Sequence, residues 1–195
     1  SLRLTLWVLA SAAFGSCMSA IFLIAPAPFA ANAFMLAAIG LLALDLRAPD
    51  ALWRTLALLA GALGASCAGA SALLVLGEAG DPIVTLAVGI VLPALLAGAA
   101  AHLAGRQPSP VAAALFEALA ITMGVFAANL LLRVLVSGGA LLLTPVSFAE
   151  AGLHISLWLI ASLLLAARQR YGAQNTRAFA AMALGVLALA ASAAA

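Results

Sequence analysis

The sequence predicts an all-α, polytopic transmembrane bundle of about seven helices arranged as successive antiparallel hairpins. Three observations carry that prediction. First, 67% of the 195 residues are apolar and only 7% are charged, whereas a soluble domain carries about 25% charged residues. So few charges cannot face water around a core of this size, and lipid must cover most of the outer surface. Second, apolar stretches close to the ~20 residues that span a bilayer as a helix recur along the whole chain. Third, the arginines fall at alternate breaks between those stretches, as chain segments of alternating direction require.

The segments lie at 4–24, 29–46, 52–76, 83–104, 111–136, 149–167 and 177–194. All are rich in Ala and Leu, strong helix formers, and none shows the period-2 alternation of a membrane strand. Pro26-Ala27-Pro28 separates the first two. The second is expected to be the weakest, being short and closed by Asp45 ahead of Pro49 and Asp50. Gly77 to Pro82 ends the third, and Asp81-Pro82 opens the fourth with a capping residue before a proline at the first helical position. Pro93 inside the fourth predicts a kink, tolerated if a neighbouring helix satisfies the carbonyl it frees. Ser109-Pro110 repeats the capping pattern for the fifth. The sixth follows the long, apolar loop Gly138 to Ser147, expected to dip back into the membrane surface or to cover the polar site. Arg168 to Thr176 separates the sixth from the seventh.

There is no lysine among the eight basic residues. With alternating helices, Arg3, Arg47, Arg54, Arg106, Arg168, Arg170 and Arg177 share one side, and Glu78, Asp81 and Arg133 share the other. The positive-inside rule makes the first side cytoplasmic, with the N-terminus inside and the C-terminus outside. The expected location is a bacterial inner membrane, and the expected partners are the lipid bilayer and further membrane helices or the remainder of a longer protein. Scattered single arginines form no nucleic-acid patch. Ser1 in place of Met, and an end inside an apolar run at Ala195, read as an excerpt of a longer chain treated as one segment, 1–195.

Small residues recur every fourth position at Ala60, Gly64 and Ala68 in the third helix and at Gly15 and Ser19 in the first, a pattern that lets helices approach closely. Cys17 and Cys67 read as small packing residues. Ser16-Cys17 and Ser66-Cys67, fifty residues apart, hint at duplicated hairpins. Trp7, Trp53 and Trp158 read as interfacial or packing aromatics.

Ionisable groups at membrane depth are expensive and mark candidate sites. They are Glu117, Arg133, Glu150 and His154, with Asn129 one turn before Arg133. Glu117 and Arg133 are 16 residues apart on one helix, roughly 24 Å along its axis, so they cannot pair. Glu150 and His154 lie one turn apart on one helix face. Their depth matches that of Arg133 across a short external connection. Arg133 is thus expected against Glu150, with His154 and Asn129 beside them. Such a cluster reads as an interhelical ion pair, as a polar site for an anion or a proton, or as an acid/base pair. His102 reads as an interface residue. No metal, nucleotide or nucleophile motif is present, so no cofactor and no catalytic residue is assigned.

From Phe116 onward the chain runs Phe116-Glu117-Ala118, Leu132-Arg133-Val134, a Gly-containing loop, then Ser147-Phe148-Ala149-Glu150-Ala151-Gly152-Leu153-His154 and Leu157-Trp158-Leu159. This resembles the C-terminal part of the bacterial predicted-membrane-protein family known as domain of unknown function 2339. Its members share a Ser-x-x-Glu-x-Gly motif opening a helix, a Trp-Leu pair within it and an upstream Leu-x-x-Arg. The resemblance covers residues 116–195, and the family's further span with Lys and Asp is absent. It implies a segment of a large polytopic protein and points to Glu117, Arg133, Glu150 and Trp158, but implies no activity. The functional expectation is a structural or substrate-handling part of a large envelope protein, including a transport-related one. The alternatives are an intramembrane enzyme acting on a lipid-linked substrate at the outer face, and a pure assembly module.

Overall fold

A computed structural model describes residues 2–76, 81–107, 109–137, 147–169 and 175–194. The connection at 138–146, expected to be external, Glu78 and Arg170 fall outside the described residues, as do the side chains of Arg3, Arg168 and Arg177.

The chain is all α. Helices α1 (Leu2–Ile24), α2 (Ala27–Arg47) and α3 (Ala51–Leu76) come first. Helix α4 begins as Pro82–Leu86, passes through a π-helical turn at Ala87–Val91 and continues as Leu92–Ala104. Helices α5 (Pro110–Ser137), α6 (Phe148–Gln169) and α7 (Asn175–Ala194) complete it. Among the described residues six helices, α1 to α6, are long and apolar enough to cross a membrane, and adjacent helices pack antiparallel. By helix length and hydropathy this is a multi-pass membrane protein.

Local chemistry sets the helix ends. The Asp81 carboxylate accepts from the backbone N–H of Ile83 at 2.9 Å and of Val84 at 3.3 Å, with Pro82 at the first helical position. Ser109 Oγ accepts from Ala112 N–H at 3.5 Å ahead of α5, and Ser147 Oγ accepts from Glu150 N–H at 3.2 Å ahead of α6. Each satisfies a donor that a helix start leaves orphaned.

Four helices, α2 to α5, make the core. Near the α2–α3 turn, Leu42, Ala57, Ala60, Ala104 and Phe116 interlock. Ala31, Phe34, Met35, Ala68 and Met123 fill the middle. Val75, Leu86, Ile90, Leu130 and Val134 pack at the far end. Helix α1 touches α2 and α3, adds Met18 to the middle cluster, and leaves Leu4, Val8, Leu9, Phe22 and Leu23 exposed. Helices α6 and α7 pack chiefly on each other, and none of their described residues belongs to these three clusters.

Several sequence expectations change here. Asp45 does not end α2, which runs to Arg47. Its side chain is buried, accepts from Asp50 N–H at 2.8 Å and lies 3.4 Å from Arg54 Nε. Asp50 in turn accepts from Leu52 N–H at 2.9 Å, so two aspartates organise the α2–α3 turn. Arg54 is therefore an ion-pair partner as well as a membrane-end anchor. The second helix, expected to be the weakest, is among the most internal, with Ala31, Phe34, Met35, Ala38 and Leu42 fully buried.

The Ala60, Gly64 and Ala68 stripe is buried, and a Cβ on Gly64 would lie 3.2 Å from Ala31 O. The Gly15 and Ser19 stripe is exposed and meets no helix among the described residues. Cys67 is buried but Cys17 is exposed, so the two Ser-Cys pairs occupy different environments. An apolar side chain can face lipid as readily as protein, which is why spacing alone misplaced α1.

The expected break at Pro93 is a π turn. Leu92 N–H donates to Ala87 O, five residues back. In that register Val88 O would face Pro93, which has no N–H. Helix α2 supplies the missing donor: Asn32 Nδ2 lies 2.7 Å from Val88 O and 2.9 Å from Pro28 O. Gly89 makes this approach possible, since a Cβ there would sit 2.7 Å from Ser71 Cβ and 3.2 Å from Pro28 Cβ.

Candidate functional site

Arg133 enters from α5 and Glu150 from the first turn of α6, where the Ser147 cap fixes the backbone. The capping-box pattern Ser-x-x-Glu would let the glutamate reach back to its own cap, but this carboxylate turns across to α5. Arg133 Nη1 donates to Glu150 Oε1 at 2.7 Å and to Oε2 at 2.5 Å. The Glu150 side chain is 2% exposed and that of Arg133 14%. One turn on, His154 Nε2 lies 3.7 Å from Glu150 Oε1.

Asn129 ties the second layer. Its Oδ1 accepts from His154 Nδ1 at 2.8 Å and from Trp158 Nε1 at 2.9 Å, and its Nδ2 donates to Val125 O at 2.7 Å. An indole N–H can only donate, which fixes the amide oxygen toward α6 and makes His154 Nδ1 the donor. The structure thus brings Arg133, Glu150, His154 and Asn129 together between α5 and α6 as two hydrogen-bonded pairs, Arg133–Glu150 and Asn129–His154, that approach each other at 3.7 Å. Trp158, read from sequence as an aromatic anchor, belongs to this cluster as well. Its i, i+4, i+8 spacing from Glu150 and His154 was the signal for that.

Glu117 is not part of this network. It lines a cavity of about 520 Å³ toward the other end of α5, with His102 of α4, Arg106 of the turn that follows it and Leu165 of α6. Arg106 Nη2 donates to His102 Nε2 at 2.9 Å. Both are exposed, and both line this cavity. Beside the network, Asn129, His154 and Trp158 line a cavity of about 320 Å³. A larger apolar groove of about 680 Å³ runs between α5, α6 and α7, bordered by Ile121, Val125, Phe126, Trp158 and Leu184. Arg133 and Glu150 line neither of these two spaces.

Antiparallel packing puts Arg47, Arg54 and Arg106 at one end of the bundle and Arg133 at the other. Trp7 and Trp53 line a common cavity with Asp50 at the former end, the depth expected of an aromatic belt.

Comparison with protein families, curated proteins and solved structures finds no match to this chain.

Proposed function

We propose that this chain is a structural module of a larger membrane assembly, in which the Arg133–Glu150 pair clamps the α6–α7 hairpin to the four-helix core. One observation carries the reading: the carboxylate is buried, and both its oxygens take hydrogen bonds from the same guanidinium nitrogen. The charges are directed at each other and not at an open cavity, as a site for an anionic substrate would need. A clamp is wanted here because lipid tails are as apolar as the helix faces, so apolar contact alone does not choose α5 as the neighbour of α6. The proposed setting is a bacterial inner membrane with the Arg47, Arg54 and Arg106 end in the cytoplasm.

Arg133→Leu leaves a buried carboxylate uncompensated and is expected to cost about 3–5 kcal/mol. Arg133→Leu with Glu150→Leu should recover most of that, measured by unfolding in mixed micelles. A double variant as unstable as the single one refutes the clamp. For orientation, a cysteine at Ser137 should react with an impermeant maleimide from outside intact cells and one at Ala48 only after lysis. The reverse pattern inverts the topology.

A further inference from the structure

We propose that the cavity beside Trp158 and the apolar groove that adjoins it bind a hydroquinone lipid, the reduced form of a membrane quinone, with its ring at His154 and its tail between α5, α6 and α7. Hydrogen-bond capacity at the cavity wall selects the hydroxyl. Trp158 Nε1 and His154 Nδ1 both donate to Asn129 Oδ1, and Asn129 Nδ2 turns back to Val125 O on its own helix. His154 Nε2 is left with a lone pair. It lies 3.7 Å from Glu150 Oε1, too far for a hydrogen bond. Among the described residues it has no other partner, yet it is not one of the buried polar atoms left unsatisfied. It is therefore reached from the cavity that His154 lines. A bare imidazole nitrogen accepts and does not donate, so the ligand must bring an O–H or N–H.

Depth and shape narrow the donor. His154 lies about 9 Å inside the membrane span that Phe148 opens, where an ammonium or any other charged group is expensive. A neutral hydroxyl is not. An aliphatic hydroxyl alone would leave most of the cavity of about 320 Å³ empty, whereas a ring fills it against the rings of His154 and Trp158. Both rings are held in place by their shared acceptor on Asn129. Asn129 and Trp158 also border the groove of about 680 Å³, whose remaining walls are apolar but for Thr122. The groove follows α5 from Asn129 to Ala118, about 16 Å, which is room for a long tail. Arg133 and Glu150 line neither space, so the proposal does not depend on the clamp.

The test is native mass spectrometry of the full chain with four probes, each titrated alone: 2-decylhydroquinone kept reduced under argon, its quinone, its dimethyl ether and 1-dodecanol. The quinone and the ether keep the ring and tail but have only acceptors. The hydroquinone is expected to bind at least about fivefold tighter than either, the scale of one neutral hydrogen bond. 1-Dodecanol, with the donor but no ring, should also bind more weakly. His154→Phe keeps a ring and removes Nε2, and should bring the hydroquinone and its ether to within about twofold. Ala151→Leu narrows the cavity without altering a polar group and suits a helix. It should abolish binding, and it keeps the test valid should His154→Phe fail to fold. Equal binding of the hydroquinone and its ether, a preference that survives His154→Phe, or binding unchanged by Ala151→Leu overturns the site. Binding of 1-dodecanol as tight as that of the hydroquinone would make the ligand an aliphatic alcohol and overturn the ring assignment.

Discussion

Replacing Asn32 with leucine removes the amide that reaches Val88 O at 2.7 Å across the α2–α4 contact. That carbonyl lies in the π turn before Pro93, where the next residue in register has no N–H to give. A buried carbonyl left without a donor costs about 1–3 kcal/mol. Part of this is offset, because Asn32 Oδ1 is itself buried and accepts no hydrogen bond among the described residues, and leucine removes it. The expected net cost of Asn32→Leu is about 1–2 kcal/mol. In a Pro93→Ala background the chain regains an N–H at position 93 that can take over a carbonyl of the preceding turn. There Asn32→Leu should cost no more than about 0.5 kcal/mol. Pro93 is fully buried, so Pro93→Ala also leaves a cavity, but that loss cancels in a double-mutant cycle. The cycle, measured by far-ultraviolet circular dichroism during unfolding in mixed micelles, should therefore show a coupling of about 0.5–2 kcal/mol. If the two substitutions add to within about 0.5 kcal/mol, Asn32 does not serve the carbonyl that Pro93 frees.

Two further outcomes are expected. Gly89→Ala places a Cβ within 2.7 Å of Ser71 Cβ and should destabilise the same unfolding transition by about 1–3 kcal/mol; with Ser71→Gly added, most of the loss should return. Asp45→Ala removes the acceptor for Asp50 N–H and the partner of Arg54, at a cost of about 1–3 kcal/mol. Asp45→Asn keeps an acceptor and loses only a pair whose arginine is 27% exposed, so it should cost about 1 kcal/mol or less.

What the sequence determined by itself is the set of helices and the depth of each polar residue. Helix ends are local events: Asp81-Pro82, Ser109-Pro110 and Ser147 act on backbone donors within three residues, so they can be read without knowing the neighbours. Depth follows from counting along a helix of fixed rise, which is why Arg133, Asn129, Glu150 and His154 could be expected at one level and Glu117 at another. Which face of each helix meets protein was decided only in three dimensions. In a soluble protein, water marks the outer face with polar residues. Here lipid and core are equally apolar, and the Ala- and Leu-rich helices carry no such mark. That is why Gly15 and Cys17 of α1 look like packing residues but face outward, and why α2, with its buried Phe34 and Leu42, looked like the weakest helix. It is also why Asp45 read as a helix stop until folding brought Arg54 beside it, and why Asn32 had no visible purpose until α4 laid Val88 against it. Polar partners in a membrane are chosen by tertiary contact, because only another helix, and not solvent, can satisfy them.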